Sequence, residues 1–436
     1  MKKHFLIFFC LLYLLPAVRG QTDSAATRLS LMQCVQFALD HQPVIKQSEL
    51  GISITERMIK GRLADWYPQI NLNYNLQHNF QLQSSSIGGN VVKLGVYNTS
   101  SIQFGLNQTI FNRDVLLASR TAGDVRTQAR QGLESNKINV VAEVSKAFYD
   151  LLLTKEQIIL LEEDIVRLTG SLQTAYAQYE GGLVDKIDYK RATILLNNSR
   201  AQKKSYEEAL NAKQSYLKAL MNFPQDENLA LQYDTSKMES EIYIDTLQSI
   251  NFNNRVEYRL LQTQRRLEES NLRYYKWSFL PSLSAFADYN LNYFNNEFSK
   301  LYNNNYPTSY AGVSLSFPIF QGTKRIQQIK QAELELKRMD YDFISLKNNI
   351  STQYQQALAA YKSNLNYFFM LKENKAIAEE VYNTIQLQYK AGIKTYLEVI
   401  TAETDLRSAQ VNFYNALYQV LSSRIDMEQA LGLIEF

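Results

Sequence analysis

The 436-residue chain is poor in the residues that break secondary structure and in those that bind metals. Its 7 prolines and 16 glycines are few for this length, so long uninterrupted helices are expected. Its 3 histidines and 2 cysteines lack the spacing of a metal site. The sequence also shows no set of nucleophile and general base that would indicate a catalytic site. The formal charge of +3 offers no basic excess for nucleic acid. We therefore predict no enzyme, no cofactor, no metal site and no nucleic-acid partner.

The first 20 residues have the pattern of a secretory signal peptide. Two lysines precede an apolar core from Phe5 to Leu15, which is too short to span a bilayer, and a cleavage site is expected near Gln21. Cys10 lies inside the apolar core without the small residues that precede a lipidated cysteine, so we predict no lipid anchor. The mature chain then keeps Cys34 as its single thiol and has no internal disulfide.

The two halves of the chain carry the same landmarks in the same order, with a period of about 210 residues. In each half a helix ends before a proline, two alternating segments follow, and a long helix reverses at a glycine turn into a second one. The chain is therefore interpreted as an internal duplication. The first repeat is predicted at 21–221, with a β-hairpin at 68–111 and a helical hairpin at 113–221. A linker or equatorial segment follows at 222–251. The second repeat is predicted at 252–436, with a β-hairpin at 281–320 and a helical hairpin at 322–431.

Four segments near the prolines alternate apolar and polar residues. In the first of them Ile70, Leu72 and Tyr74 alternate with asparagines and glutamines, and the alternation continues to Leu82. This period of two predicts β-strands. The polar face is rich in amides rather than charge, and the segments reach the roughly 9–11 residues of a tilted membrane strand. Both features favour a membrane barrel over a soluble sheet, which is the alternative.

Four strands cannot close a barrel, because known membrane barrels begin at about eight strands. An open strand edge in lipid would leave backbone N–H and C=O groups unpaired. The chain is therefore expected to oligomerise, so that strands from several copies pair into one closed barrel. The polar segments 84–96 and 295–307 are predicted to be exterior loops between the strands.

The remaining sequence predicts long helices. Residues 323–390 contain no glycine or proline and would extend on the order of 100 Å at about 1.5 Å per residue. Apolar residues recur there every three or four positions, as they do in helices that pack along a seam. Residues 186–221 and 394–430 are the predicted return helices. The predicted fold class is a mixed α/β membrane protein, with four strands of an oligomeric β-barrel and long antiparallel coiled-coil helices.

The pattern resembles the TolC-type outer-membrane efflux family over essentially the whole mature chain. The resemblance rests on the duplicated order, on the junctions at Pro68 and Pro281, and on the reversals Tyr179–Leu183 and Tyr389–Ile393. It implies a homotrimer with a twelve-stranded barrel in outer-membrane lipid and a periplasmic helical tunnel. It also implies two protein partners, a periplasmic adaptor and an inner-membrane pump.

The resemblance further implies a tunnel constriction near the reversals. Asp188 and Glu398 match acids of the family's constriction, Lys394 matches a basic residue that ties neighbouring helices, and Tyr389 matches a linking tyrosine. Thr401 stands where some members have a second acid, so an acidic double ring is in doubt. Adaptor docking is expected at Gly182, Leu183, Val184, Gly392 and Ile393.

Simpler interpretations exist for the same residues. Helix capping alone would explain the acids without a gate role. Thr395 with Glu398 has the spacing of a capping box, and Asp185 with Asp188 resembles one. The motif glycines would relieve backbone strain in any tight helical reversal. The tyrosines could mostly pack in the helical wall, and His78 is read as an ordinary strand residue.

The leading functional hypothesis is a passive duct for small-molecule efflux. One alternative is the export duct of a protein-secretion system, which has the same fold. A third reading is an exported coiled-coil scaffold without a pore, and it leaves the amide-faced strands unexplained.

Overall fold

The computed structural model describes residues 28–232 and 235–436. The predicted signal peptide, with Cys10 and the cleavage site, lies outside the described residues. Eight α-helices and six strands follow one another in the described part of the chain. Their order is α1 (Leu31–His41), α2 (Pro43–Ala64), β1 (Gln69–His78), β2 (Gln83–Ile87), β3 (Asn90–Leu94), β4 (Asn98–Phe111), α3 (Arg113–Glu180), α4 (Lys186–Met221), α5 (Thr235–Ser240), α6 (Val256–Lys276), β5 (Ser282–Asn295), β6 (Thr308–Ser316), α7 (Lys324–Lys390) and α8 (Tyr396–Leu431).

The main sheet is antiparallel and has the strand order β1-β4-β5-β6. Each alternating segment pairs with its return strand, and β4 pairs with β5, so the two halves of the chain share one sheet. Across it, Leu72 lies opposite Phe104, which lies opposite Tyr289. Because this register preserves the alternation, most apolar residues of the four strands share one face, and the amides of β1, β4 and β5 share the other. Phe286 and Tyr310 are exceptions that lie on the amide-rich face.

The sheet leaves apolar side chains and strand edges uncovered. Leu72 is 60% exposed and Leu315 is 65% exposed. The outer edges of β1 and β6 pair with no other strand in residues 28–232 and 235–436. An exposed edge beside an exposed apolar face is a surface that requires a partner.

The segment between β1 and β4 differs from the prediction of a plain polar loop. It contains a small two-stranded sheet, β2-β3, in which Ile87 pairs with Asn90 across Gly88 and Gly89. Both glycines have positive φ (60° and 85°), which suits the two-residue turn of a tight hairpin. Strand β1 also ends at His78 instead of continuing to Leu82, and a ring nitrogen of His78 lies 2.7 Å from the side-chain oxygen of Asn98.

The long helices are continuous, which confirms the predicted fold class with long helices. Helix α3 has 68 residues and α7 has 67, and each packs against its return helix, α4 or α8. On α3 the buried residues Leu161, Leu168 and Ala175 recur every seven positions, as along a coiled-coil seam. In the described part of the chain, no helix combines the length and apolar character that a bilayer-spanning helix needs.

The largest hydrophobic core lies midway along the long helices. Phe148 and Leu152 of α3 pack there with Leu217 of α4 and Leu417 of α8. Cys34 of α1 is fully buried in the same core, and this burial raises the pKa of its thiol to about 12. The segment predicted to link the halves contributes the short helix α5 and the buried residues Met238 and Ile242 to this core.

Candidate gate at the helical reversals

Both helical hairpins turn through the same backbone motif. At the first reversal the N–H of Leu183 donates to the carbonyl of Gln178 at 2.9 Å, and the N–H of Gly182 donates to Tyr179 at 3.0 Å. The second reversal repeats both bonds, from Ile393 to Gln388 and from Gly392 to Tyr389, each at 2.9 Å. This paired arrangement is a Schellman motif, and it places the glycine in the left-handed region. The φ angles of 68° at Gly182 and 75° at Gly392 explain why glycine stands there.

The reversals expose apolar side chains at their tips. Leu183 is 79% exposed and Ile393 is 72% exposed, while Val184 is partly buried. All five residues predicted for docking therefore lie on the two turns. Large apolar side chains exposed at a turn are suited to contact another protein. Docking remains a prediction for these residues.

The return helices begin with different caps. The Asp185 carboxylate accepts the N–H of Ile187 at 2.8 Å at the start of α4. At the start of α8, Thr395 and Glu398 form a complete capping box. Glu398 also accepts from Lys394 Nζ at 2.7 Å. The hydrogen bonds from Lys394 and from the Thr395 backbone lower the pKa of Glu398 to about 2.

Two of the predicted gate residues lie at the contact between α7 and the first hairpin. The Tyr389 hydroxyl donates to Gln178 Oε1 at 2.8 Å, which joins the end of α7 to the end of α3. The pKa of Tyr389 is raised, first by burial, while the hydrogen bond to Gln178 opposes the rise and the nearby Asp188 charge adds to it. Thus the Asp188 charge acts on Tyr389, whereas Lys394 and Glu398 form a separate pair. Within the described residues, Thr401 bonds only its own helix, through the Leu397 carbonyl at 2.9 Å.

A buried charge cluster lies between the two hairpins, and the sequence interpretation missed it. Asp164 (1% exposed) on α3 accepts from Arg167 at 3.2 Å and from Ser199 of α4 at 2.7 Å. Glu403 (3% exposed) on α8 lies 3.6 Å from Arg167 Nε. Arg407 of α8 donates to Ser199 at 2.8 Å and lies 3.7 Å from Asp164. The cluster therefore connects α8 with both helices of the first hairpin.

Burial and neighbouring charges shift the pKa of Glu403. Desolvation raises its pKa to about 7, the Asp164 charge adds to the rise, and Arg167 and Arg407 oppose it. Burial raises the pKa of the Tyr382 hydroxyl of α7 and of the Tyr396 hydroxyl of α8, and the charge of Glu403 adds to both rises. The only signals in the sequence were acid–base pairs at helical spacing, Asp164 with Arg167 and Glu403 with Arg407. Such pairs are common on solvated helix faces, so they did not predict burial.

The comparisons with known proteins agree with this architecture. The profile of the family described as "Outer membrane efflux protein" matches residues 34–222 and 253–433. The chain belongs to this family. Membership confirms the resemblance predicted from the duplicated motifs and the predicted outer-membrane location. The two matched segments also separate the two halves of the duplication.

Individual members of the family are distant in sequence and similar in fold. Outer membrane protein TolC of Vibrio cholerae is 21% identical over 96% of this chain and 94% of that protein. Alkaline protease secretion protein AprF of Pseudomonas aeruginosa is 20% identical over 94% of this chain and 86% of that protein. The open state of the MtrE outer membrane channel of Neisseria gonorrhoeae superposes with a TM-score of 0.73, at 18% identity, over 92% of this chain and 88% of that chain.

Proposed function

We propose that this protein is the outer-membrane channel subunit of a tripartite efflux or secretion system. The observation that carries the proposal is a four-stranded sheet with one apolar face, one amide-rich face and two unpaired outer edges in the described part of the chain. In lipid, such edges must be paired, because each unsatisfied backbone group costs several kcal/mol. Three copies supply twelve strands, which is enough for a closed barrel. The amide face then lines a water-filled lumen.

The helical hairpins extend this barrel into a tunnel. Helices of 68 and 67 residues reach on the order of 100 Å at about 1.5 Å per residue. A trimer of such hairpins encloses a conduit that reaches through the periplasm. Conduction through it is passive, and an inner-membrane pump supplies the energy. A periplasmic adaptor joins the two at the reversals, where Leu183 and Ile393 are exposed.

The reversals also form the gate. Tyr389 connects the end of α7 to Gln178 of α3, and Asp188, in the first turn of α4, adds a negative charge that acts on Tyr389. Lys394 and Glu398 pair at the start of α8 and contribute alternating charge to the constriction. Contact with the adaptor favours an arrangement in which α7 and α8 move away from the first hairpin. A switch of this kind requires two packings of nearly equal free energy.

Detergent-solubilised mass and planar-bilayer conductance test the proposal together. We expect a particle with the mass of three chains that forms discrete ion-conducting events. A stable monomer that leaves cells without detergent would contradict the proposal and would favour the pore-free scaffold. A trimer that never conducts, even with the Tyr389 contact removed, would contradict the duct.

Export of a folded or unfolded protein is a second candidate cargo. It is favoured by the similarity to AprF, whose name assigns it to alkaline protease secretion. Cells that lack this chain separate the two candidates. Loss of one extracellular protein without increased sensitivity to toxic small molecules would favour secretion, and the reverse result would favour efflux.

A further inference from the structure

The helix ends next to the main sheet are rich in positive charge. The register brings these helix ends to the same end of the sheet, where strands begin or finish, because Gln69 pairs with Asn107 and Ser282 pairs with Ser316. Eight lysines and arginines lie in the four segments 58–68, 112–120, 270–281 and 317–327. We call the lysines and arginines of these segments the junction collar.

The collar is much more positive than the rest of the chain. Only two acids, Asp65 and Asp114, lie in the same segments, which gives them a local charge of +6. The whole chain carries a formal charge of +3, so the remainder is net negative. The positive charge is therefore concentrated at one level of the molecule.

Carboxylates neutralise little of this charge. Within residues 28–232 and 235–436, only Lys60 and Lys276 of the collar have a carboxylate oxygen within 4.0 Å, at 3.9 Å from Glu56 and at 3.7 Å from Glu333. The carboxylate of Asp114 accepts instead from the Tyr274 hydroxyl at 2.5 Å. Six collar cations thus have no carboxylate partner in the described residues. Four of these six are exposed to anions from outside the chain, namely Arg62, Arg120, Arg273 and Lys324.

Aromatic rings hold two of the collar arginines without cancelling their charge. The guanidinium of Arg113 lies 4.5 Å from the centre of the Tyr274 ring, and that of Arg120 lies 4.6 Å from the Trp277 ring. Both tryptophans of the chain, Trp66 and Trp277, lie in the collar segments. Tryptophan is enriched at the interface between water and membrane, where its ring is amphipathic.

Exposed apolar residues lie beside these cations. Ile319 and Phe320, each 87% exposed, follow β6 and precede Lys324 at the start of α7. Such a combination of apolar side chains with nearby cations is typical of a surface at a charged lipid interface.

We propose that the junction collar binds the phosphate groups of anionic phospholipids in the leaflet that borders the helical tunnel. This inference rests on the proposed function, since only a membrane-embedded sheet brings the collar to the level of the headgroups. Guanidinium groups match phosphate geometry through paired donors, and the surrounding excess of +6 attracts lipids with a net negative charge over zwitterionic ones. The collar would thereby set the depth at which the subunits lie in the membrane.

Native mass spectrometry of the detergent-purified assembly tests this proposal. The assembly is incubated with equal amounts of phosphatidylglycerol and phosphatidylcholine, and the retained lipids are counted. The test variant combines Arg62→Gln, Arg273→Gln and Lys324→Gln, three exposed collar cations that have no carboxylate partner in the described residues. We expect the unmodified assembly to prefer phosphatidylglycerol by about fivefold or more, and the variant to lose most of this preference.

A matched control removes the same charge from elsewhere. Lys190→Gln, Lys204→Gln and Arg338→Gln change three exposed cations outside the collar and should leave the lipid preference intact. Equal retention of the two lipids, an equal loss in both variants, or displacement of the lipid by inorganic phosphate would overturn the collar as a lipid site. Conductance of the same preparation separates this failure from failure of the proposed function, because an assembly that conducts without lipid preference refutes the collar alone.

Discussion

At the scale of single residues, the surroundings decide what an acid contributes. Glu398 and Glu403 lie five positions apart on α8, yet their pKa values move in opposite directions. Glu398 is partly exposed and accepts hydrogen bonds from Lys394 and Thr395, so its charged form is favoured. Glu403 is buried beside Asp164, so its neutral form is favoured despite two arginines. The two acids therefore give opposite dependences of stability on pH.

Glu403→Gln should stabilise the subunit at alkaline pH. Because the folded-state pKa of about 7 lies above the ordinary 4.5, the folded protein binds this proton more tightly than the unfolded chain, and stability falls as the pH rises between these values. Glutamine removes the ionisation, so we expect a gain on the order of 1–3 kcal/mol near about pH 8.5 and little change near about pH 5. Thermal unfolding in detergent at both pH values provides the measurement.

Glu398→Gln should have the opposite effect on stability, because the pKa of Glu398 is lowered. Its lowered pKa means that the carboxylate stabilises the folded state above the ordinary 4.5 and loses this contribution as the pH falls toward about 2. The variant should therefore unfold at a lower temperature near neutral pH. If both substitutions shifted the unfolding temperature in the same direction at alkaline pH, the assignment of the buried charge cluster would be wrong.

Tyr389→Phe should increase the open probability of the channel by about fivefold. It removes the hydroxyl that bonds Gln178, and a bond worth about 1 kcal/mol corresponds to that factor. Tyr396→Phe is a suitable control, because the buried Tyr396 hydroxyl has no hydrogen-bond partner in the described part of the chain. Single-channel recording in planar bilayers measures both. Equal behaviour of the two variants would remove Tyr389 from the gate.

At the scale of elements, the glycine turns connect helices that are otherwise continuous. The space around Gly392 is open, with no atom within 4 Å of an added Cβ, so only its φ of 75° disfavours a side chain. A substitution there tests backbone conformation without a steric clash. Gly170 inside α3 is equally open, but its backbone is helical.

The same glycine-to-alanine change should therefore have opposite effects at these two sites. Gly392→Ala forces an L-residue into the left-handed region, at a cost of about 1–2 kcal/mol. Gly170→Ala lowers the conformational entropy of the unfolded chain, so less entropy is lost when the helix forms. This variant should be more stable by about 0.5–1 kcal/mol. Thermal unfolding distinguishes the two, and a stabilised Gly392→Ala variant would contradict the Schellman geometry of the reversal.

At the scale of the whole molecule, the uncovered sheet supports the proposal that the chain assembles with copies of itself. Its apolar face and its two outer edges have no cover within the described residues, whereas the helical region has a well-packed core. The assembly proposed here covers both through lipid and neighbouring strands. The collar next to the sheet then lies at the headgroup level, so sheet, collar and tunnel divide the molecule into three layers.

Adjacent positions of β1 test the orientation of the sheet. Leu72→Arg places a charge on the apolar face and should cost about 2–4 kcal/mol in the membrane. Asn73→Arg places the same charge on the amide face, where water should accept it with little loss. The fraction of trimer in outer-membrane extracts measures the difference. Equal recovery of the two variants would argue against the proposed orientation.

Local patterns in the chain were sufficient for its elements. Alternation over β1, the absence of glycine and proline from α7, and the motif glycines Gly182 and Gly392 each specify backbone conformation within a few residues. These signals predicted the hairpins, the reversals and the family. The β2-β3 hairpin differs from the predicted loop although Gly88-Gly89 is a local turn signal, because the polar composition of segment 84–96 is also typical of a loop.

Only the packing of distant segments decided the electrostatics of the site. The acid–base pairs of α3 and α8 look like solvated surface pairs until α4 and α7 cover them, and burial then raises the pKa of Glu403. Likewise, the pairing of β4 with β5 brings cations from four separate segments to one level. Backbone conformation depends on neighbours along the chain, whereas desolvation and charge density depend on neighbours in space. For that reason the helices and strands could be predicted, and the buried charge cluster and the junction collar could not.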